Sequence, residues 1–302
     1  MRLRLLYNPG AGKGRARRHI DEAVALLEKR GAAVELLPSR SREHLVELGR
    51  SAAADGVDRV VACGGDGTIH LAIRELDLGR ATFGILPLGS GDDFARTLGI
   101  PTSLPDACDV VLGDTTRQID VALANGTRYV CVAGFGFDAE VNRYANESVS
   151  RLRGTPLYLY SIFRVLRKFQ PRRVRVSNGA EAREAEIMFA VVANAPRYGA
   201  GIRIAPAAVP DDGQLDLCVV GACSKFELIR TLPLAYVGKH VKRPFVTTRQ
   251  GTWFRFETIE PMDVFADGEP VTRTPLTVTL APDKLRVCVP RPPGNRAADC
   301  AD

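Results

Sequence analysis

Over the first 122 residues, short apolar runs alternate with longer stretches whose apolar positions recur every three or four residues. A short apolar run bounded by turn residues reads as a buried strand, and the longer period reads as an amphipathic helix. Segments 2–7, 34–37, 59–63 and 83–87 are therefore predicted strands. Between them Ile20, Ala23, Val24, Leu26 and Leu27 share one helical face, and Leu45, Leu48 and Ala52 repeat the i, i+3, i+7 spacing. Such alternation predicts a three-layer α/β domain around a mostly parallel sheet. Near Gln118 the pattern changes to closely spaced strand-like runs at 119–123, 129–133, 174–177, 187–194, 215–220, 253–257 and 276–280. Helical stretches at 157–169 and 225–239 interrupt them. The second carries Phe226, Ile229, Leu232 and Tyr236 on one face, and Pro233 should bend it. The expected division is an α/β domain over 1–122, a β-rich domain over 123–290 whose last strand is free to return to the first, and a disordered tail over 291–302 with little to bury.

Composition changes this picture only by exclusion. With 45% hydrophobic and 25% charged residues in 302, the chain resembles neither a disordered, a collagen-like nor a multi-span membrane protein. Its apolar runs fall short of the roughly 18 residues that would span a bilayer, so membrane contact is expected to be peripheral. Residues 1–7 run straight into Asn8-Pro9-Gly10 instead of a long apolar stretch, so a cytoplasmic location is expected. Cysteines at 63, 108, 131, 218, 223, 288 and 300 form an odd set without a C-x-x-C pair, which supports neither a disulfide framework nor a zinc site. His19, His44, His70 and His240 are scattered and read as structural or exposed.

Ligands of an open α/β sheet bind beyond the carboxyl ends of its strands. Three of the four predicted strands end in glycine-rich loops: Asn8-Pro9-Gly10-Ala11-Gly12-Lys13-Gly14, Gly64-Gly65-Asp66-Gly67-Thr68 and Gly89-Ser90-Gly91-Asp92-Asp93-Phe94. Glycine lets backbone N–H groups approach phosphate oxygens, and a following helix adds the positive end of its dipole. A strand-to-helix turn also uses glycine for geometry and Asp or Ser as a cap, so no single loop is decisive. None has the spacing of a P-loop or of a dinucleotide-binding G-x-G-x-x-G. Together, with Lys13 in the first, they describe a polyphosphate cradle.

These loops, above all Leu86-Pro87-Leu88-Gly89-Ser90-Gly91-Asp92-Asp93-Phe94-Ala95-Arg96, resemble the diacylglycerol kinase catalytic domain in its soluble bacterial lipid kinase branch. The Gly-Gly-Asp-Gly-Thr pentapeptide is shared with NAD kinases and 6-phosphofructokinase-like enzymes, and the third loop separates the lipid kinases from them. The likeness continues through 132–140, Ala193-Asn194, Tyr198 to Gly201, Pro206 to Asp216 and Asp267-Gly268-Glu269. It implies an N-terminal α/β domain, a mostly antiparallel C-terminal β-sandwich and a nucleotide site in the cleft between them. It further implies ATP and Mg²⁺ as cofactors and a lipid substrate, diacylglycerol by default, at a membrane surface. Asn8, Pro9, Gly10, Ala11, Gly12, Lys13, Ser39, Gly64, Gly65, Asp66, Gly67, Thr68 and Ser90 fall where the family binds ATP. Glu269 matches its general base, and Asp66 is the acid best placed to reach a magnesium–phosphate group. Val209, Asp212 and Gln214 fall where the bacterial enzymes hold magnesium, the outer two through backbone carbonyls.

On spacing alone, Asp267-Gly268 reads as a hairpin turn, Asp211-Asp212-Gly213 as a turn before a strand, and Asp66 as an N-cap to the helix beginning near Gly67. Ser39 and Ser90 stand where the family usually has Thr, and Asp92 where it has Asn, exchanging an amide for an acceptor-only carboxylate. The competing readings are a small-molecule kinase related to NAD kinases and a non-catalytic nucleotide- or nucleic-acid-binding regulator. Only a pI near 9.0 supports the latter, and no nucleic-acid motif accompanies it, so no nucleic-acid partner is expected. Exposed edge strands in the β half leave a homodimer open.

Charge adds one local feature. Lys and Arg exceed Asp and Glu by 41 to 35, yet residues 151–175 hold eight Lys or Arg and no acid, leaving 33 against 35 elsewhere. The same segment carries Leu157, Tyr158, Leu159, Tyr160, Ile162, Phe163, Val165 and Leu166. An apolar-aromatic helix with a cationic end suits transient docking on an anionic membrane; a core-packed helix with solvated arginines has the same sequence pattern.

Overall fold

The computed structural model describes residues 1–54, 56–147, 155–179, 181–199 and 201–292. Two compact units make up the chain, Met1–Gln118 together with the chain from Leu285 onward, and Ile119–Lys284. The expected tail lies beyond the described residues from 293.

The first unit alternates β1 (Arg2–Tyr7), α1 (Ala11–Lys29), β2 (Ala33–Pro38), α2 (Arg42–Ala52), β3 (Arg59–Gly64), α3 (Asp66–Ile73) and β4 (Thr82–Pro87), followed by α4 (Asp93–Thr97), α5 (Leu104–Leu112) and β5 (Thr116–Ile119). The second contains β6 (Ala122–Ala124), β7 (Thr127–Tyr129), β8 (Val132–Gly136), α6 (Phe137–Glu147), α7 (Thr155–Lys168), β9 (Arg172–Ser177), β10 (Ala182–Ala193), β11 (Leu215–Gly221), α8 (Lys225–Tyr236), β12 (Val246–Gly251), β13 (Trp253–Thr258), β14 (Asp263–Ala266), β15 (Glu269–Arg273) and β16 (Leu276–Leu280). Finally β17 (Leu285–Cys288) joins the first unit beside β4, to which it runs parallel.

The first unit's sheet has the order β2-β1-β3-β4-β17-β5. All six residues of the central strand β3 are buried, as expected when helices cover both faces of a parallel sheet. Accordingly α1 packs against α5, and α2 against α3. Chain order reverses at β1, which has β2 on one side and β3 on the other, and this is the position where such sheets bind ligands.

The second unit's sheet runs β15-β14-β8-β10-β9-β13-β16-β6-β7, with β11 on β10 and β12 on β11, and every pair within it is antiparallel. Its core is built from Tyr129, Phe135, Phe254, Phe256, Leu215 and Val278, all essentially inaccessible, with Phe135 and Phe256 edge to face at 5.1 Å. Inward residues alternate with outward ones along β13, which is why that strand is legible in the sequence.

Several expected strands differ. The run at 119–123 splits: β5 ends in the parallel sheet and β6 starts in the antiparallel one, because Asp120 is held in between, its N–H donating to Pro210 O at 2.8 Å. The run at 129–133 also splits, because the N–H groups of Val130, Cys131 and Val132 donate to a carboxylate instead of a neighbouring strand. The helix expected over 225–239 ends at Tyr236, and a short 3₁₀ turn at Lys239–Lys242 follows Gly238.

Candidate active site

In the first unit the register of the parallel sheet aligns the strand ends: Tyr7 pairs with Pro38 and Cys63, and Gly64 with Pro87. The loops beginning at Asn8, Ser39, Gly65 and Leu88 therefore leave the sheet side by side at its carboxyl edge. Asn8 folds the first loop by accepting the Gly10 N–H on Oδ1 at 2.9 Å, after which α1 begins at Ala11. The side chains of Ala11 and Lys13 lie outside the described set, so the basic group expected there has no described position. Ser39 is buried, and its N–H donates to Tyr7 O at 2.8 Å.

The second and third glycine loops interlock. Leu88 N–H donates to Gly64 O at 3.2 Å, and a Cβ on Gly89 would lie 2.4 Å from Gly65 Cα and from Asp92 Oδ1, so only glycine permits this approach. Asp66 does not cap its own helix, whose N-cap is Gly65. Its carboxylate instead reaches the third loop, accepting from Asp93 N–H and Phe94 N–H at 3.0 Å each. Asp92 sits in the left-handed region, φ +53°, and accepts the Gly89 N–H at 3.0 Å while buried. The carboxylate that replaces the family's Asn thus closes the loop on itself through an oxygen that Asn also has.

In the second unit, Glu269 opens β15 and pairs with Ala266 across the Asp267-Gly268 turn, both turn residues at positive φ. Asp267 Oδ2 accepts from Val130 N–H at 3.0 Å, and Oδ1 accepts from Cys131 and Val132 N–H at 2.9 and 3.0 Å. The hairpin that presents Glu269 is therefore pinned to the start of β8. Asn194, buried, ties the same region by donating Nδ2 to Asp120 O and Val130 O. No sequence pattern announces these bonds, because they join residues about 60 to 140 apart.

Val209, Asp212 and Gln214 share one turn. Asp212 Oδ1 accepts the Gln214 N–H at 2.9 Å, and Asp120 holds the turn through Gly213 N–H at 2.8 Å while pairing with Lys284 at 2.8 Å. Among the described residues no three His, Cys, Asp or Glu side chains form a metal cluster. The expected set differs, with two carbonyls and one carboxylate, hard oxygens that suit Mg²⁺. Asp216, two residues on, buries Oδ2 without a hydrogen-bond partner; burial first, and then repulsion from Asp212, push its carboxyl above the ordinary range. A cation at this turn would relieve both effects, so the residues fit the ion.

Two of the cavities within the second unit adjoin α6. One, about 440 Å³, is lined by Glu140, Arg143, Arg172, Asp263 and Arg273; Arg143 and Arg273 both bind Asp263 and Arg172 faces Glu260, so its cations are matched by acids. The other, about 60 Å³, is apolar, with Phe137, Val141, Ile162, Phe189, Leu228 and Leu232 around it. At this second cavity Tyr198 OH donates to Asp138 Oδ1 at 2.8 Å.

Helix α7 presents two faces. Ile162, Val165, Leu166 and Phe169 just beyond it are buried, while Tyr160 and Phe163 are exposed, Phe163 to 57%. Phe226 of α8 is 66% exposed with Arg230 5.4 Å over its ring, and Lys225 donates to Arg167 O at 2.7 Å, joining the two helices. The basic segment is thus both packed and surface-forming; residues 151–154 lie outside the described set. No described helix is long and apolar enough to cross a membrane.

The comparisons agree with this architecture. The family described as "Diacylglycerol kinase catalytic domain" matches residues 2–124, and "YegS C-terminal NAD kinase beta sandwich-like domain" matches residues 131–289. A diacylglycerol kinase of Mycobacterium tuberculosis is 32% identical, covering 95% of this chain and 94% of its own. A YegS-like lipid kinase of Pseudomonas aeruginosa is 30% identical with 92% of each chain covered. A crystal structure of a diacylglycerol kinase from Bacillus anthracis superposes with a TM-score of 0.71 at 22% identity, covering 96% of each chain, which speaks to the fold. With its parallel glycine-loop unit and its antiparallel second unit, the chain belongs to the diacylglycerol kinase catalytic-domain family, in the bacterial lipid kinase branch that carries a YegS-type C-terminal domain.

Proposed function

We propose that the protein is an ATP- and Mg²⁺-dependent kinase that transfers the γ-phosphoryl group to a lipid hydroxyl, with diacylglycerol as acceptor and phosphatidic acid as product. The observation that carries this reading is the register-aligned set of glycine-rich loops at the β1/β3 switch point, packed so closely that a Cβ on Gly89 would meet Gly65. Phosphoryl transfer depends on positioning and charge neutralisation more than on covalent chemistry. Asn8 to Lys13, Ser39, Gly64 to Thr68 and Ser90 hold the nucleotide, and Asp66 keeps the second and third loops in register while facing the phosphate group. Glu269 accepts the proton of the attacking hydroxyl as the new bond to phosphorus forms. Val209, Asp212 and Gln214 would hold Mg²⁺, whose charge supports the acidic network of the second unit.

The acceptor resides in a bilayer, so the enzyme works from the cytoplasm by transient docking. Phe163, Tyr160 and Phe226 insert at the interface while Arg164, Arg167, Lys168 and Lys225 meet anionic headgroups. The test is to incubate the protein with γ-labelled ATP, Mg²⁺ and a total lipid extract, with NAD alone as a parallel acceptor. Label in an organic-soluble product supports the reading, and label that stays aqueous and requires NAD overturns it.

A further inference from the structure

Helix α8 turns apolar side chains to solvent as well as to the protein. Its buried positions are Leu228, Thr231 and Ala235. On the opposite side Phe226, Arg230, Pro233 and Val237, spaced by four, three and four residues, are all exposed and form one outward stripe, with Tyr236 exposed beside it. The outward stripe of a surface helix is ordinarily polar. Here Arg230 is its one charged member, and its guanidinium lies 5.4 Å over the Phe226 ring. Phe226 at one end is 66% exposed and Val237 at the other 56%, so the stripe runs the length of the helix, roughly 17 Å at 1.5 Å per residue. Of the eight large apolar side chains exposed among the described residues, five lie on α7, on α8 or at Val237, which concentrates the apolar surface here. The charge around the stripe is of one sign. Segment 225–245 holds Lys225, Arg230, Lys239, Lys242 and Arg243, and its one acid, Glu227, is taken up by the capping box, accepting from Ser224 N–H at 2.9 Å and Ser224 Oγ at 2.7 Å. Among the described residues none of these five cations is in an ion pair. By contrast Arg172, Arg173, Arg175, Arg255 and Arg273 on the sheet each lie within 4.0 Å of an acid.

We infer that α8 docks lengthwise on an anionic phospholipid bilayer, with Phe226, Pro233 and Val237 entering the boundary between headgroups and acyl chains while Arg230, Lys239 and Lys242 meet lipid phosphates. An apolar stripe along a helix, flanked by cations that no acid of the protein neutralises, is how a helix lies in a membrane interface, and each cation near the anionic leaflet adds to the attraction. A stable protein interface uses about 20–30 residues a side, whereas this stripe supplies four, and a fluid bilayer conforms to a convex helix. The inference rests on the lipid kinase reading for its membrane substrate. It deepens that reading by making the whole outer face of α8 a docking element beside α7, to which Lys225 ties it through Arg167 O at 2.7 Å.

The test is cosedimentation of the full chain, without nucleotide, with vesicles of phosphatidylcholine alone or with one-third phosphatidylglycerol. Phe226→Ser combined with Val237→Ser should weaken binding to the anionic vesicles about tenfold. Arg230→Gln, Lys239→Gln and Lys242→Gln together should weaken it about as much and reduce the preference for anionic over neutral vesicles. All five side chains are exposed, and thermal unfolding checks that the variants keep the fold. Orientation is read separately: Phe226→Trp and Val237→Trp should both be quenched by brominated acyl chains, against the background of Trp253, the chain's one natural tryptophan. Quenching at one end alone, or vesicle binding unmoved by both sets of substitutions, would overturn the inference. Loss of self-association in place of vesicle binding would assign the face to a second copy of the chain and overturn it too. If the variants lose vesicle binding while wild type labels no lipid, the docking stands and the kinase reading falls. If wild type labels lipid in detergent micelles while the variants bind vesicles unchanged, the kinase reading stands and the docking falls.

Discussion

Asp267 gathers the N–H groups of Val130, Cys131 and Val132 onto one carboxylate, and Glu269 lies two residues further along the same hairpin. Replacing Asp267 by Ala removes the acceptor and leaves three backbone donors without it. Hydrogen bonds to a charged group contribute about 1.5–3 kcal/mol each, but these are part-buried and water can reach some of the freed donors, so a loss of about 3–5 kcal/mol is expected. For a unit of this size each kcal/mol lowers Tm by roughly 2–4 °C, which puts the shift at roughly 6–20 °C. Asp267→Asn is the informative control. Asn tolerates the φ of +50° and keeps Oδ1 for Cys131 and Val132, losing only the bond from Val130, so about 1–2 kcal/mol is expected. Thermal unfolding gives the global figure, and amide hydrogen exchange at residues 130–132 gives the local one. If Asp267→Ala unfolds within about 2 °C of the wild type and those amides keep their protection, the pinning argument is wrong.

Asp92→Asn should fold normally, because Oδ1 still accepts the Gly89 N–H, and should bind ATP at least as tightly, since a buried negative charge beside the phosphate loops is removed; weaker binding by calorimetry would contradict this. Asp216 has a carboxyl raised mainly by burial above the ordinary value of 3.8, so from there upward the native state binds more protons than the unfolded state, and stability falls as pH rises until the folded carboxyl ionises. Asp216→Asn should remove that slope in urea midpoints and stabilise the protein at neutral pH; a slope identical to wild type would show that Asp216 is not its source. Replacing Arg164, Arg167 and Lys168 together by Gln should weaken sedimentation with anionic vesicles several-fold and leave ATP affinity unchanged. Unchanged vesicle binding would return α7 to a packing role alone.

Much of the first unit was legible because β1 to β4 are buried runs separated by helices of clear period, and parallel strands so connected bring their carboxyl-end loops together. That is why Asn8, Gly65 and Ser90 could be grouped before their positions were known, whereas Ser39 joined them only through the family resemblance. The second unit was less legible. The first half of β10 is exposed and β12 is a polar strand paired only with β11, so neither shows an apolar run. The breaks after Ile119 and Tyr129 depend on Asp120 and Asp267, whose partners lie about 90 and 140 residues away. Asp66 was expected near the phosphates, with a cap to its own helix as the alternative, and its bonds to the N–H groups of Asp93 and Phe94, about 30 residues on, had no sequence signal.

Phosphoryl transfer to lipid is tested most directly by single-turnover label partition with wild type and Glu269→Gln under identical nucleotide saturation. Wild type should move the γ-phosphoryl label into an organic-soluble lipid phosphate, and Glu269→Gln should bind ATP as tightly while transferring at least about a hundredfold more slowly, as expected for loss of a general base. Label absent from the organic phase with wild type, or transferred equally fast by Glu269→Gln, would contradict the account.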